Sequence, residues 1–489
     1  MKITNAIRQV CRCLVTAWIT TIPAWAGIPT VSVTELHADN SHERATEIIL
    51  HIIDTYHYKK LPLDDQLSSR MLDNYIESLD PNRSFFTQAD IDDFEGYRHT
   101  LDDDLKETKL APAFEMFLRY RERVAERIEF GISVLGEQFD FTADEDYQFD
   151  RRDSPWAPDR AAMQVIWRKR VKNDFLNLQL AGKKPEEIRE TLRKRYERVR
   201  TSTLQLNAND VFQSYINAYT TAIEPHTAYF SPRTSENFDI SMRLSLEGIG
   251  AVLRGETDYT EVQRVVPGGP ADLSGQLRAE DRIIGVGQEA QGEIVDVIGW
   301  RLDDVVDLIR GPKGSVVRLE ILPSGSGLEG PSRVVRLVRD RIKLEEQAAK
   351  SEVIELENGG RIGVLDVPTF YSDFAAQARG EKEYKSTTRD VRELISRLET
   401  ERIDGIIIDL RGNGGGSLAE ALELTGLFIE SGPIVQTRDS SGRIEINGDP
   451  DPDLAYGGPL AILVDRNSAS ASEIFAGAVQ DYRRGIIIG

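Results

Sequence analysis

Cysteine is nearly absent: two occur in 489 residues, Cys11 and Cys13, both close to the start. That excludes a disulfide framework, a cysteine-ligated zinc site and a cysteine nucleophile. Positive charge is also scarce. Sixty Lys and Arg against 81 Asp and Glu give a formal net charge of −21, with no dense basic run. So acidic a chain repels phosphate backbones and anionic lipid headgroups, which argues against nucleic acid and against electrostatic membrane binding. No apolar run approaches the roughly 20 residues that cross a bilayer. The six histidines (His37, His42, His51, His57, His99, His226) stop at 226 and lack metal-ligand spacing; lysine stops at Lys385. A Ser-His-Asp arrangement built wholly from the last third is therefore excluded. What remains, 40% hydrophobic and 29% charged residues, is globular and ample for about three domains.

The start reads as an address. Lys2, Arg8 and Arg12 precede an apolar stretch from Cys13 to Trp25 and the sequence Ala24-Trp25-Ala26, the anatomy of a secretory signal peptide cut after Ala26. Cleavage removes three basic residues, no acidic ones and both cysteines, leaving 57 − 81 = −24. A thiol-free chain suits an oxidising compartment, and no membrane span is expected after cleavage.

Three textures follow. Residues 27–242 are polar and helical: Ile188, Leu192, Tyr196 and Val199 form a helical stripe behind Pro185, and Val211, Tyr215, Ala218 and Ala222 form another, with Asn209 and Asp210 as its expected cap. The acidic run Asp102-Asp103-Asp104 reads as a solvated helix end. Residues 243–340 turn to short strands punctuated by glycine, including Gly248-Ile249-Gly250 before Ala251-Val252-Leu253, a helix over 302–309 and a hairpin from 316–322 and 333–338. From 341 to 489 strands and helices alternate, with the apolar strand 405–410 marking a sheet buried on both faces and 433–438 read as a further strand.

Two strand-to-helix turns hold the candidate chemistry: Asp409-Leu410-Arg411-Gly412-Asn413-Gly414-Gly415-Gly416 and Asn467-Ser468-Ala469-Ser470-Ala471-Ser472-Glu473. Ligands of such sheets gather beyond the carboxyl ends of strands. A dinucleotide fingerprint needs glycine where Ser417 stands, and a phosphate loop needs Gly-Lys-Ser/Thr, so neither fits. Serine at a helix start suits acyl transfer, with helix N–H groups facing a developing oxyanion; serine is equally a favoured helix cap. The pattern alone does not choose among Ser468, Ser470 and Ser472. Any lysine base inside this region is Lys343, Lys350, Lys382 or Lys385.

Taken together these residues resemble the carboxy-terminal processing peptidases, and among them the periplasmic tail-specific proteases of Gram-negative bacteria. Glu224-Pro225-His226-Thr227 with Tyr229 and Pro232 is similar to the family's D-P-H-T-x-Y-x-x-P segment, with Glu224 in place of aspartate. Residues 244–253, Gly268-Gly269-Pro270-Ala271, 296–304 and 311–314 resemble its PDZ domain, and 409–416 and 468–473 its active-site segments. The resemblance implies a multi-domain α+β chain: signal peptide 1–26, helical domain 27–242, PDZ domain 243–340, and a crotonase/ClpP-like α/β serine peptidase domain 341–489. It implies that Ser470 is the nucleophile and that the N–H groups of Ala471 and Gly416, with Gly415 next best, form the oxyanion hole. It further implies that Gly248, Ile249 and Gly250 receive the C-terminal carboxylate of an unfolded or exported protein. A periplasmic location with room for inner-membrane association, a lipoprotein adaptor as partner, and no metal or cofactor also follow from it. The family's general base is a lysine in a T-F-G-K-G segment after the serine. Only 19 residues follow Ser470 and none is lysine, so the expectation is a peptidase domain incomplete at its C-terminal end, with a non-catalytic PDZ tail-binding protein or inactive remnant as the rival.

Overall fold

Alternation of polar faces with apolar stripes becomes nine α-helices in the first region among the described residues. The computed structural model describes residues 29–489 apart from 257, 327–329 and 450–451; the expected signal peptide lies outside them. The helices are α1 (Asn40–Tyr56), α2 (Asp65–Leu79), α3 (Gln88–Phe94), α4 (Leu101–Lys106), α5 (Ala111–Val134), α6 (Arg160–Leu180), α7 (Pro185–Leu204), α8 (Ala208–Ile223) and α9 (Pro232–Arg243). Asp39, Asp64, Asp159 and Asn207 cap α1, α2, α6 and α8 by accepting from their free N–H groups. The last corrects the expected cap. Asn207 has the extended backbone a cap requires, and Asp210 reaches back to its N–H at 2.9 Å. Asp102 also departs from expectation, being buried and paired with Lys106 at 2.8 Å.

The long helix α5 serves two cores. Its first half packs with α2 and α8 around Met71, Tyr75, Phe117 and Tyr215. Its second half packs with α6 and α7 around Val124, Ile128, Trp167, Ile188, Leu192 and Tyr196. Val199, the last residue of the α7 stripe, is 37% exposed because this core does not extend to it.

The second region consists of β1 (Ser245–Gly248), β2 (Ala251–Glu256), β3 (Tyr259–Val265), α10 (Pro270–Ser274), β4 (Arg282–Gln288), β5 (Ile294–Asp296), α11 (Leu302–Ile309), β6 (Val316–Leu322), β7 (Arg333–Val338) and β8 (Asp340–Lys343). The sheet runs β2-β3-β4-β6-β7 with β5 beside β4, so β2 is an edge strand. Val305 and Ile309 bury the inner face of α11 against it. Buried Arg339 donates to Ile309 O at 2.8 Å and Leu308 O at 3.0 Å, placing a cation on the last carbonyls of α11, where the helix dipole is negative. An antiparallel ribbon of β1 and β8 joins this region to the next.

The third region contains β9 (Lys350–Glu355), β10 (Arg361–Asp366), α12 (Phe374–Ala378), α13 (Thr387–Thr400), β11 (Gly405–Asp409), α14 (Leu418–Gly426), β12 (Gly432–Arg438), β13 (Ile444–Asp449), β14 (Leu460–Leu463), α15 (Ala471–Asp481) and β15 (Ile486–Ile488). Its sheet is ordered β15-β14-β11-β10-β9, parallel except for antiparallel β9. The strand read at 433–438 exists as β12, but it pairs with β13 in a separate hairpin rather than joining that sheet. Side chains along β12 alternate between half-buried and exposed, which suits a hairpin on the surface, whereas β11 is apolar up to Asp409 and lies inside the sheet.

Candidate active site and tail-binding groove

Asp366, Asp409 and Leu463 lie in register across β10, β11 and β14, so the segments leaving three parallel strands emerge on one edge of the sheet. Ser470 stands there, at the turn into α15. Its φ of 56° and ψ of −116° are unusual for a residue with a side chain; such conformations cost on the order of 1–3 kcal/mol and persist where the surroundings dictate them. Glu473 Oε2 accepts from the Ser470 N–H at 2.6 Å, and the Ser470 residue is exposed.

The three serines of the segment are used differently. Ser468 Oγ donates to Leu410 O at 2.7 Å and Ser472 Oγ to Asn413 O at 3.0 Å, while Ala469 N–H also reaches Asn413 O at 3.1 Å. Both flanking hydroxyls thus stitch the serine segment to the glycine loop, with Ser470 held between them. The contact is close: a Cβ on Gly415 would stand 2.7 Å from Ser470 Cβ and 3.0 Å from Ala471 N, at a φ of 107°. A Cβ on Gly416 would stand 2.3 Å from Phe370 O, at a φ of 146°. Only glycine fits either place.

Of the expected donors, the N–H groups of Ala471 and Gly416 make no hydrogen bond to the protein among the described residues. Gly415 is different: its N–H is committed to Asn413 Oδ1 at 2.8 Å, so in this arrangement it serves by close approach rather than as a donor. Its carbonyl accepts from Phe370 N–H at 3.0 Å and Thr369 Oγ1 at 2.8 Å.

Sequence reasoning missed two residues that hold this geometry. Asn413 is fully buried, and its Nδ2 donates to Val367 O at 2.7 Å, tying the loop to the segment after β10. Asp465 Oδ1 accepts from Gly412 N–H at 3.0 Å and Asn467 N–H at 2.9 Å; these bonds hold its carboxyl below the usual carboxylate range. The signal for Asn413 was its place inside a glycine run. Asp465 carried none beyond ending an apolar strand.

No lysine is bonded to Ser470 among the described residues. Lys385 Nζ lies 2.7 Å from Asp390 and 3.4 Å from Glu345, and Lys343 lies 3.9 Å from Glu345. The histidines stay apart: buried His42 meets Asn209 Oδ1 at 2.9 Å, and His57 meets Thr227 Oγ1 at 2.9 Å. Among the described residues no helix is long and apolar enough to cross a membrane.

The second candidate site lies at the start of β2. Ile249 is buried, and its carbonyl accepts from Ala271 N–H at 2.8 Å; Gly250 O accepts from Val266 N–H, also at 2.8 Å. Gly250 has a φ of 73°, and a Cβ there would stand 3.1 Å from Gly269 Cα. Both carbonyls are therefore turned inward, at the head of an edge strand that an extended peptide can lengthen.

Comparison with known proteins bears on all three regions. Residues 49–233 match the family described as tail specific protease N-terminal domain, 238–322 the PDZ domain, and 361–489 peptidase family S41. A tail-specific protease of Haemophilus influenzae is 42% identical over 472 residues, 96% of this chain and 65% of that protein. A carboxy-terminal-processing protease of Bartonella bacilliformis is 30% identical over 296 residues, 60% of this chain and 62% of that protein. The chain thus spans less than two thirds of the length of these relatives. Among solved structures, the PDZ domain of a carboxy-terminal protease from Vibrio cholerae in complex with peptide is 61% identical, covering 21% of this chain and 100% of that one, with a TM-score of 0.20.

Proposed function

We propose, for a chain that belongs to the tail-specific protease family, a serine endopeptidase that takes exported proteins by their C-terminal tails and cuts them. The tail adds to the free edge of β2, its carboxylate received at Gly248, Ile249 and Gly250. Ser470 Oγ attacks the scissile carbonyl carbon while the N–H groups of Ala471 and Gly416 receive the charge that develops on oxygen. The peptide C–N bond then breaks, the amine leaves with a proton, and water hydrolyses the acyl-enzyme to regenerate the serine.

One observation carries this reading: of the three serines only Ser470 is exposed at a strained backbone, beside two N–H groups without partners among the described residues. The proton from Ser470 needs a base, which the family resemblance makes a lysine. Lys343, Lys350, Lys382 and Lys385 make no bond to Ser470, so the reading draws its base from outside these four. A chain lacking that base is expected to bind tails and leave them uncut. The signal-peptide features and acidic, thiol-free remainder support a periplasmic setting; a lipoprotein adaptor is the partner the resemblance implies.

The test uses protein expressed from the complete reading frame, with an unstructured substrate ending in an apolar residue. Ser470→Ala is expected to lower cleavage at least ~1000-fold, since nucleophile and base act as a unit, with tail binding retained. Cleavage at the normal rate would remove Ser470 from the role. The rival, a tail-binding protein without catalysis, is favoured by the same absence of a bonded lysine. It takes the lead if the wild-type protein binds the substrate and leaves it whole.

A further inference from the structure

The Gly416 N–H is aimed by the peptide that carries it. A trans peptide sets its N–H opposite its carbonyl, so the direction of this donor is decided by where Gly415 O is held. That oxygen accepts from Phe370 N–H at 3.0 Å, and Phe370 O accepts in turn from Ser417 N–H at 2.8 Å. Phe370 clasps the loop on both sides of Gly416, and whatever fixes Phe370 fixes the donor.

Phe370 is fixed by the start of α13. Tyr371 O accepts from Thr387 N–H at 3.0 Å and from Thr387 Oγ1 at 2.9 Å, and Ser372 lies opposite Ser386 in an antiparallel bridge. Ser386 and Thr388, both buried, turn to Glu420, a carboxylate 2% exposed in the first turn of α14. Its Oε2 accepts from Ser386 Oγ at 2.9 Å, and from Thr388 N–H and Thr388 Oγ1 at 2.8 Å each. Helix α14 grows directly out of the glycine loop, with Ser417 as its cap. A ring is thereby closed, from the loop to Phe370, along Tyr371 to α13, and through Glu420 and α14 back to Ser417.

The three donors to Glu420 are neutral, and among the described residues no cation pairs with it. A buried carboxylate without a counter-ion is costly. The positive end of the 14-residue α13 offsets part of that cost. Apolar residues would join two helices with less desolvation; charge-assisted bonds fix distance and angle as well.

We infer that Glu420 is a positioning residue for the oxyanion hole. It holds the start of α13, and through Tyr371 and Phe370 the Gly415–Gly416 peptide, so that the Gly416 N–H points at the developing oxyanion. This rests on the reading of Ser470 as nucleophile and of Gly416 N–H as an oxyanion donor.

The test uses protein from the complete reading frame and two ligands. One is a tail peptide, read by anisotropy. The other is a peptide aldehyde, whose hemiacetal with Ser470 places an oxygen where the oxyanion forms. Glu420→Gln, which keeps the shape and one acceptor oxygen, is expected to lower kcat ~10-fold and Glu420→Ala ~100-fold, as small misplacements of a reacting group do. KM and tail affinity are expected to stay unchanged. Aldehyde affinity is expected to fall by the same factor as kcat, because it alone uses the oxyanion hole. An enzyme merely destabilised would bind fewer aldehyde molecules at unchanged affinity. Thr388→Val removes one donor and keeps the backbone bond; it stands in if Glu420→Ala does not fold, with a few-fold loss of both quantities expected. A fall in kcat with aldehyde affinity unmoved, or no fall in any variant, would overturn the assignment and leave the Ser470 reading intact. Cleavage by Ser470→Ala at the normal rate, or none by wild type, would overturn that reading itself, and the role of Glu420 with it.

Discussion

Two glycine-bearing loops face substrate in the proposed function, and they are fastened in different ways. The loop at 248–250 is anchored by buried Ile249 and by two of its own carbonyls, on Ala271 and Val266. The loop at 410–416 is held by side chains: its own Asn413, Ser468 and Ser472 from the serine segment, and Thr369 and Asp465 from the flanking strand ends. A loop that admits tails of many sequences gains breadth from main-chain fastening at a sheet edge. One that aims N–H groups at a single developing oxyanion gains from fixed positions. In the proposed function, rigidity is concentrated where the charge moves.

That contrast is broken most severely at Gly416. Gly416→Ala drives a Cβ against Phe370 O at a left-handed φ, with an expected destabilisation of about 3 kcal/mol from overpacking and strain. Urea unfolding reads it as a lower midpoint at unchanged slope; an unmoved midpoint would mean the Phe370 segment yields and the loop is loosely held. Next is Asn413→Ala, which leaves Val367 O and Gly415 N–H without their partner. About 2 kcal/mol of stability and ~100-fold in cleavage rate are expected to go, with tail affinity unchanged by anisotropy. A parallel loss of tail affinity would mean the two loops are not independent.

The contrast is sharpened within the first loop. Gly250→Ala meets Gly269 backbone at positive φ and is expected to cost about 1–2 kcal/mol. Gly248→Ala meets the ends of side chains and no backbone, Leu246 Cδ1 at 3.1 Å and Arg310 Cγ at 4.0 Å, and a shift of a few tenths of a kcal/mol is expected. Equal effects would mean that loop, too, is tightly packed throughout.

The smallest effect is on pH. Asp465 is held below the usual range by N–H groups of Gly412 and Asn467. A depressed native pKa contributes stability that is present above the unfolded value, about 4 for aspartate, and is lost as pH falls through the native one. Hydrogen exchange at Gly412 is therefore expected to stay flat, after correction for intrinsic rates, from neutral pH to about 5, and protection to fall only below about 4. A loss beginning near neutrality would point to another group.

The elements with one clear periodicity were legible in the sequence: α7, α8, α11 and β11 follow from spacing, because each buries one face or both. The order of the three regions was legible too. Less so were features that depend on contacts distant in the chain. Nothing local to residues 433–438 reveals that β12 turns away to pair with β13. The cap at Asn207 lost to the nearer Asn209-Asp210 because the choice rests on backbone dihedrals that composition does not encode. Ser468 and Ser472 looked the same as Ser470 until Leu410 O and Asn413 O stood beside them. Asn413 was hidden by its neighbours, since glycines draw the eye to backbone freedom and away from the side chain that limits it.

The ribbon of β1 and β8 brings Ser245 opposite Lys343 and Gly248 opposite Asp340, so about ninety residues leave the main path of the chain and return to it side by side. A module whose two ends meet in one ladder can vary with few changes near Ser470, provided its bonds to the helical region are kept, Arg301 with Asp210 at 2.6 Å and Arg233 with Asp304 at 2.7 Å among them. In the proposed function, capture of a tail and its cleavage can therefore diverge separately.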